Sequence, residues 1–318
     1  MAFQKQHPGI ILILLAFCFS LGGCGAPLLS ERQIVRAVLF SQTAERTEAV
    51  LLLANTSEAD AETFHTLSGV GQTPAEALNQ AQQASQGPVF YGLMDLVVLP
   101  MNASYKEICS YTSLLEQTVL PAARMDIILW QREGPASVQE QAPALYAAIK
   151  AAQKQYGIRN GLYQVTAQSN NCALPVWQGG QFGFAWLQMD KKAILISDGL
   201  QAQLAATLTG QGNRLEVWLG NGAVACTART SVRWESDADT ITAEVTLHDL
   251  TLTNLDGQPR PETESRKLLE AEMHTAFDAV LGATVPVQDP LRVRLWAFQR
   301  NGAAREPATA ALSVRFAD

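Results

Sequence analysis

Two runs of this chain, "VFYGLMDLVVLP" (Val89–Pro100) and "MDIILW" (Met125–Trp130), are apolar almost from end to end. A strand apolar on both faces has to be covered on both faces, which in practice means parallel neighbours joined by crossover helices. The residues between and before these runs meet that demand. In "HTLSGVGQTPAEALNQAQQASQGP" (His65–Pro88), Thr73 is an N-cap, Pro74 takes the first helical position, and Glu76 completes a capping box. The helix predicted from Pro74 to about Ser85 is closed by Gly87-Pro88, with Gly69 and Gly71 breaking the strand before it. "ASYKEICSYTSLLEQTVLP" is a second helical segment. Upstream, Leu29–Leu53 holds two strands joined by a polar turn around Ala44–Glu48. The order ββ-α-β-α-β is an α/β pattern with parallel pairing in part of its sheet.

The later sequence changes character. A long Ala- and Gln-rich helix runs from Ala136 to Tyr156, and "NNCALPVWQGG" forms a boundary loop. Beyond it "FGFAWLQMDKKAILISD" predicts two strands about a Met189–Lys192 turn. A short helix follows, capped by Asp198 and stopped at Gly210. "RLEVWLG", "AVACTARTSVRWES" and "TITAEVTLHDLTLTN" alternate apolar and polar residues, as strands with one solvated face do. Glu262–Leu281 is an amphipathic helix with Leu268, Leu269, Met273, Phe277, Val280 and Leu281 on one face. Two last strands, "LRVRLWAFQ" and "AALSVRF", complete the pattern. The expected fold is α+β (mixed α/β) and multi-domain, each domain a β-sheet packed by helices. The sheet is mixed in the N-terminal part and mostly antiparallel in the C-terminal part. The predicted boundaries are an N-terminal α/β domain at 31–135, a helical linker at 136–178, and a C-terminal α+β domain at 179–318. That last part would divide, if at all, near 258–262.

The N-terminus reads as an address. From Ile10 to Gly23 the apolar run is 14 residues, against about 20 for a spanning helix. Lys5 ahead of it and small residues behind it make a secretory signal over 1–23. Its end, Leu21-Gly22-Gly23-Cys24, resembles a bacterial lipobox, in which the Cys24 thiol takes a diacylglycerol and becomes the first mature residue, followed by a linker over 24–30. One acyl chain anchors only marginally and two anchor stably, so a diacylglyceryl cysteine suffices without basic residues. Without the signal the chain carries 22 basic and 30 acidic side chains, a net charge of −8. That balance lacks the clustered basic footprint of a nucleic-acid binder. Hydrophobic residues at 47% and charged residues at 17% provide a substantial core.

No catalytic or metal constellation emerges. His7 leaves with the signal, and His65, His248 and His274 fit no zinc spacing. His248 and Asp249 fall on opposite faces of one strand, and His274 on the polar side of its helix. Ser68-Gly-Val-Gly71 lacks the phosphate-loop lysine and is a strand-to-helix turn; no G-x-S-x-G occurs. Asp237/Asp239 lie in a turn, and Glu262/Glu264 suit a helix N-terminus. Of five cysteines, Cys18 is removed and Cys24 lipidated; Cys109, Cys172 and Cys226 form no C-x-x-C, and each is expected as a buried free thiol, with one bridge between two of them as the alternative in an oxidising compartment. Trp296 and Phe298 are in register and are expected in the core, with an exposed aromatic stripe for a partner as the alternative. Catalytic residues, metal ligands and cofactors are therefore none, and lipidation is assigned to Cys24.

Several segments carry a resemblance. Gly71-x-Thr73-x-x-Glu76-Ala77 followed by "VFYGLMDLVVL" resembles the helix-and-strand signature of the spore-germination lipoproteins. These are the C subunits of germinant receptors, the Ger(x)C or GerAC family. Leu93, Met94 and Asp95 stand where that strand has His-Leu-Lys. "LEQTVLPAARMDIILW" and "CALPVWQGGQFGFAWLQMDKKAILISDGLQAQLAATLTG" resemble the next segments in the same order, and the lipobox fits too. The resemblance implies α/β domains of helix-packed sheet and no catalysis. It also implies a place outside the spore inner membrane, held by the lipid on Cys24. It implies work with an integral-membrane A subunit and a transporter-like B subunit in sensing nutrients such as amino acids or sugars. The alternative expectation is a solute-binding lipoprotein with its own polar and aromatic pocket.

Overall fold

The computed structural model describes residues 32–43, 45–54, 64–118, 125–132, 137–161, 172–187, 194–196, 199–237, 240–256, 260–282 and 309–317. Cys24, Asp198, the Met189–Lys192 turn, Asp239, Trp296 and Phe298 lie outside the described residues.

Among the described residues the first sheet has nine strands. β1 (Gln33–Gln42) pairs antiparallel with β2 (Thr47–Ala54), and β2 with β3 (Phe64–Gly71). On its other side β1 lies parallel to the short β4 (Val89–Phe90) and to β5 (Leu96–Pro100). β6 (Asp126–Trp130) and β7 (Cys172–Gln178) continue the parallel run, and β8 (Gln181–Leu187) and β9 (Ile194–Ile196) return antiparallel. The sheet is mixed, as the apolar runs require. Both faces are covered. Val35, Val38, Leu51, Leu53, Val97 and Ile127 pack beneath α1 (Pro74–Gln83) and α2 (Tyr105–Thr118). On the opposite face Ala37, Leu39, Leu52, Leu96, Val98 and Ile128 meet α3 (Val138–Tyr156). α3 runs from an N-cap at Ser137 to Gly157, whose φ of 63° is the left-handed C-cap that glycine adopts at least cost. Its buried positions, Val138, Ala142, Leu145, Tyr146, Ile149 and Ala152, follow the helical period.

Several sequence expectations change. The segment 136–178 is not a linker: α3 covers the first sheet and the chain then supplies β7 to it. β8 and β9, expected in the second half, belong to the same sheet, because β7 and β8 form a tight hairpin through Gly179 and Gly180. The 89–100 run is two strands, interrupted where Met94 N–H donates to the Tyr91 carbonyl at 2.9 Å. β3 does not stop before its glycines but pairs with β2 through Gly71. A Cβ on Gly69 would fall among the Ala77 carbonyl oxygen, the Ala81 nitrogen and the Gln80 side chain, so these glycines let α1 lie directly on the strand. The capping box forms with a shift of one residue: Glu76 N–H donates to Thr73 Oγ1 at 3.2 Å, and Gln72 N–H to Glu76 Oε2 at 2.8 Å.

The second sheet, in order β10 (Arg214–Leu219), β11 (Val224–Asp237), β12 (Thr240–Asn254), β13 (Thr309–Phe316), is antiparallel except for its last pair. α5 (Glu262–Gly282) precedes the parallel β13 and buries Leu269, Met273, Phe277 and Val280, with Leu268 and Leu281 at the margin. α4 (Gly199–Leu208) joins the halves. Ala202, Leu204, Ala205, Ala206 and Leu208 share one core with Phe184 and Trp186 of the first sheet and Leu215, Val217 and Leu219 of the second. The helix is apolar on nearly all sides because it is covered on nearly all sides.

Candidate functional site

At the amino ends of the parallel strands, five chain segments bring charged groups together. Arg36 of β1 places Nη2 3.2 Å from Asp95 Oδ2 and 3.2 Å from the Tyr146 hydroxyl. That hydroxyl donates to Asp95, 3.1 Å from Oδ1 and 3.2 Å from Oδ2. Lys150, one turn along α3, sits 3.7 Å from Asp95 and 3.9 Å from Asp126. Asn160 closes the group, donating its N–H to Asp126 Oδ1 at 2.9 Å and its side-chain amide to the Ile127 carbonyl at 3.1 Å. Burial and the Asp95 charge push the Tyr146 hydroxyl up to about 12, so it remains a neutral donor. The cluster fastens α3 to the sheet edge. Asp95, which meets Arg36, Tyr146 and Lys150, is its hub.

Asp126 is the most enclosed carboxylate here, with its side chain 14% exposed. Burial raises its pKa, partly offset by the Asn160 N–H and the Lys150 ammonium, while Asp95 adds to the rise. The folded chain thus favours the protonated form. That contribution to stability is full below the unfolded value near 3.8 and is lost as pH rises through the raised folded value. In Asp126→Asn the amide oxygen still accepts from Asn160, and the buried charge is gone. Urea unfolding of the two proteins across acidic pH should show the parent losing stability relative to the variant as pH rises above about 3.8. A parent that gains on the variant over that range would reverse the assignment.

Two clefts open elsewhere. One, of about 400 Å³, lies at the carboxyl ends of β1, β5 and β6, between Ser41-Gln42, Met101-Asn102 and Gln131-Arg132. In open α/β sheets this is the edge where ligands generally sit. The other, of about 460 Å³, lies where the two sheets meet, between the end of α3, the β7–β8 hairpin, α4, β10 and α5. Its floor is Phe182, Val217 and Ala276; its rim carries glutamines, Glu216, Glu272 and Trp218, which is 62% exposed. Sequence reasoning found neither the charged cluster nor the clefts, since their residues come from segments tens to more than a hundred positions apart.

The residues singled out from sequence stay apart. His65 bonds Gln33 Oε1 at 2.9 Å. A bulge between Thr227 and Arg229 gives Asp249 a φ of 53°; it pairs with Arg229, while His248 Nε2 lies 3.0 Å from Ser231 Oγ. His274 is exposed on α5, and Glu262 and Glu264 lie in its first turn. Cys226 is a buried free thiol, pushed by burial up to about 12; Cys109 is free and half-buried. Among the described residues no three His, Cys, Asp or Glu side chains group as metal ligands, and no helix is long and apolar enough to cross a membrane.

No family model matches the chain, and no curated protein does. Among solved structures, the chain is similar to one titled "Crystal Structure of the GerBC protein". The likeness is at 10% identity and a TM-score of 0.42, over 88% of this chain and 97% of that one. An overlap of that quality assigns no residue of this chain a role.

Proposed function

We propose that this chain is the non-catalytic, lipid-anchored C subunit of a nutrient germinant receptor. The lipid on Cys24 holds it at the outer face of the spore inner membrane, or of the cytoplasmic membrane, beside A and B membrane subunits in spore germination. The observation that carries the proposal is the lipobox at Leu21–Cys24 followed by three family-like segments in the family's order. Those segments contain whole secondary-structure elements. Gly71–Ala77 forms the end of β3 and the start of α1, and the stretch from Cys172 to Gly210 includes β7, β8, β9 and α4. A second proposal, a solute-binding lipoprotein of another transport or signalling complex, is favoured by the cleft under Trp218.

The test is affinity purification of the tagged full chain from detergent-solubilised spore inner membrane. Two membrane proteins, one of them multi-spanning and transporter-like, should elute in constant proportion with it. Recovery of the chain alone, from membranes in which both subunits are intact, would exclude the receptor proposal.

A further inference from the structure

β10 is an edge strand, paired on one side only, with β11. In an antiparallel strand the N–H and C=O of one residue point to the same side, and successive residues alternate sides. Glu216 presents both groups to the open edge, where the Gln203 carboxamide closes on them. Glu216 N–H donates to Gln203 Oε1 at 2.7 Å, and Gln203 Nε2 donates to the Glu216 carbonyl at 2.9 Å. Four residues on, Gly220 N–H donates to Glu272 Oε1 at 2.8 Å. Trp218, midway between, presents its own N–H and C=O to the same edge, and neither has a hydrogen-bond partner among the described residues. That open rung lies at the 460 Å³ cleft, which Trp218 lines with its exposed side chain.

We propose that this cleft binds a small neutral molecule bearing a primary carboxamide, which pairs with the Trp218 main chain as Gln203 pairs with that of Glu216. The rung needs one acceptor for the N–H and one donor for the C=O, at the spacing a planar amide provides. A carboxylate supplies no donor, and it would meet Glu216 and Glu272 in a cleft whose lining, among the described residues, holds no lysine or arginine. An extended peptide would need neighbouring rungs on both sides, and Gln203 and Glu272 already close them. The indole and the Tyr156 ring provide flat apolar surface for the body of the ligand. The volume falls in the range of small-molecule sites. The proposal does not depend on the receptor reading.

Benzamide and benzoate have nearly the same shape and differ in the group that would reach the rung. The full chain, labelled with 15N-tryptophan in detergent, shows the main-chain and indole signals of six tryptophans, and Trp218→Phe identifies those of residue 218. Benzamide should shift the Trp218 main-chain amide saturably. Benzoate should bind at least ~10-fold more weakly, the loss of one hydrogen bond plus repulsion by two carboxylates. An unmoved Trp218 main-chain amide at high millimolar benzamide overturns the proposal. So does an equal response to benzoate, or a shift confined to the indole, which is stacking without pairing.

Discussion

Replacing Cys24 by alanine should move the chain out of the membrane fraction almost completely, or leave it as an uncleaved precursor with residues 1–23 attached. On the proposed lipidation, two acyl chains on Cys24 would supply the anchor, at about 0.8 kcal/mol for each buried methylene. The protein carries net negative charge, so attraction to anionic lipid does not replace them. No helix among the described residues could take over by crossing the membrane. Fractionation followed by intact-mass measurement distinguishes the outcomes. A parent protein whose mature N-terminus carries no lipid would remove the basis of the assignment, and so would a variant that stays membrane-bound after cleavage. The body of the chain is expected to fold unchanged in the variant, since the residues that form the hydrophobic cores begin at Val35.

The second large effect is inside the fold. Gly69→Ala should destabilise the protein by about 3 kcal/mol or more, at the upper end of the overpacking range. The added methyl would meet the main chain of Ala77 and Ala81 rather than a side chain able to swing aside. α1 would have to lift from β3, opening contacts made by Ala77, Leu78 and Ala81. Gly199→Ala is the comparator. Nothing lies within 4 Å of its added Cβ, and the site is the first turn of α4. Its change should stay within about 0.5 kcal/mol. Urea titrations of the two variants followed by circular dichroism decide the matter. A Gly69→Ala protein as stable as its parent would mean that α1 does not rest on β3 as described.

Most helices were legible because their signals are local. Thr73, Pro74 and Glu76 mark the start of α1 within four residues, and the Leu269, Met273, Phe277, Val280 stripe marks the buried side of α5. The apolar runs at β5 and β6 pointed correctly to parallel pairing between covered faces. The membership of β7, β8 and β9 was not legible. A strand's own residues state that it will pair but carry no record of its partner, and here the partner of β7 precedes α3. Gly69 shows the same limit at one residue: from sequence a glycine in a strand pattern reads as a break, and only the arrival of a helix shows it as a contact.

The charged cluster and the Trp218 cleft show it for function. Arg36 and Tyr146 stand 110 positions apart, and Gln203 caps a strand that begins eleven residues later. Nothing in the spacing of these residues announces either arrangement. By itself, the sequence determined the kinds of elements, their covered faces and the proposed address at Cys24, because capping, periodicity and a signal segment are read over a few neighbouring residues. The tertiary structure alone decided which strands share a sheet, which carboxylate is enclosed and which edge of β10 stays open. Those depend on desolvation and pairing between distant segments, which exist only once the chain has closed on itself.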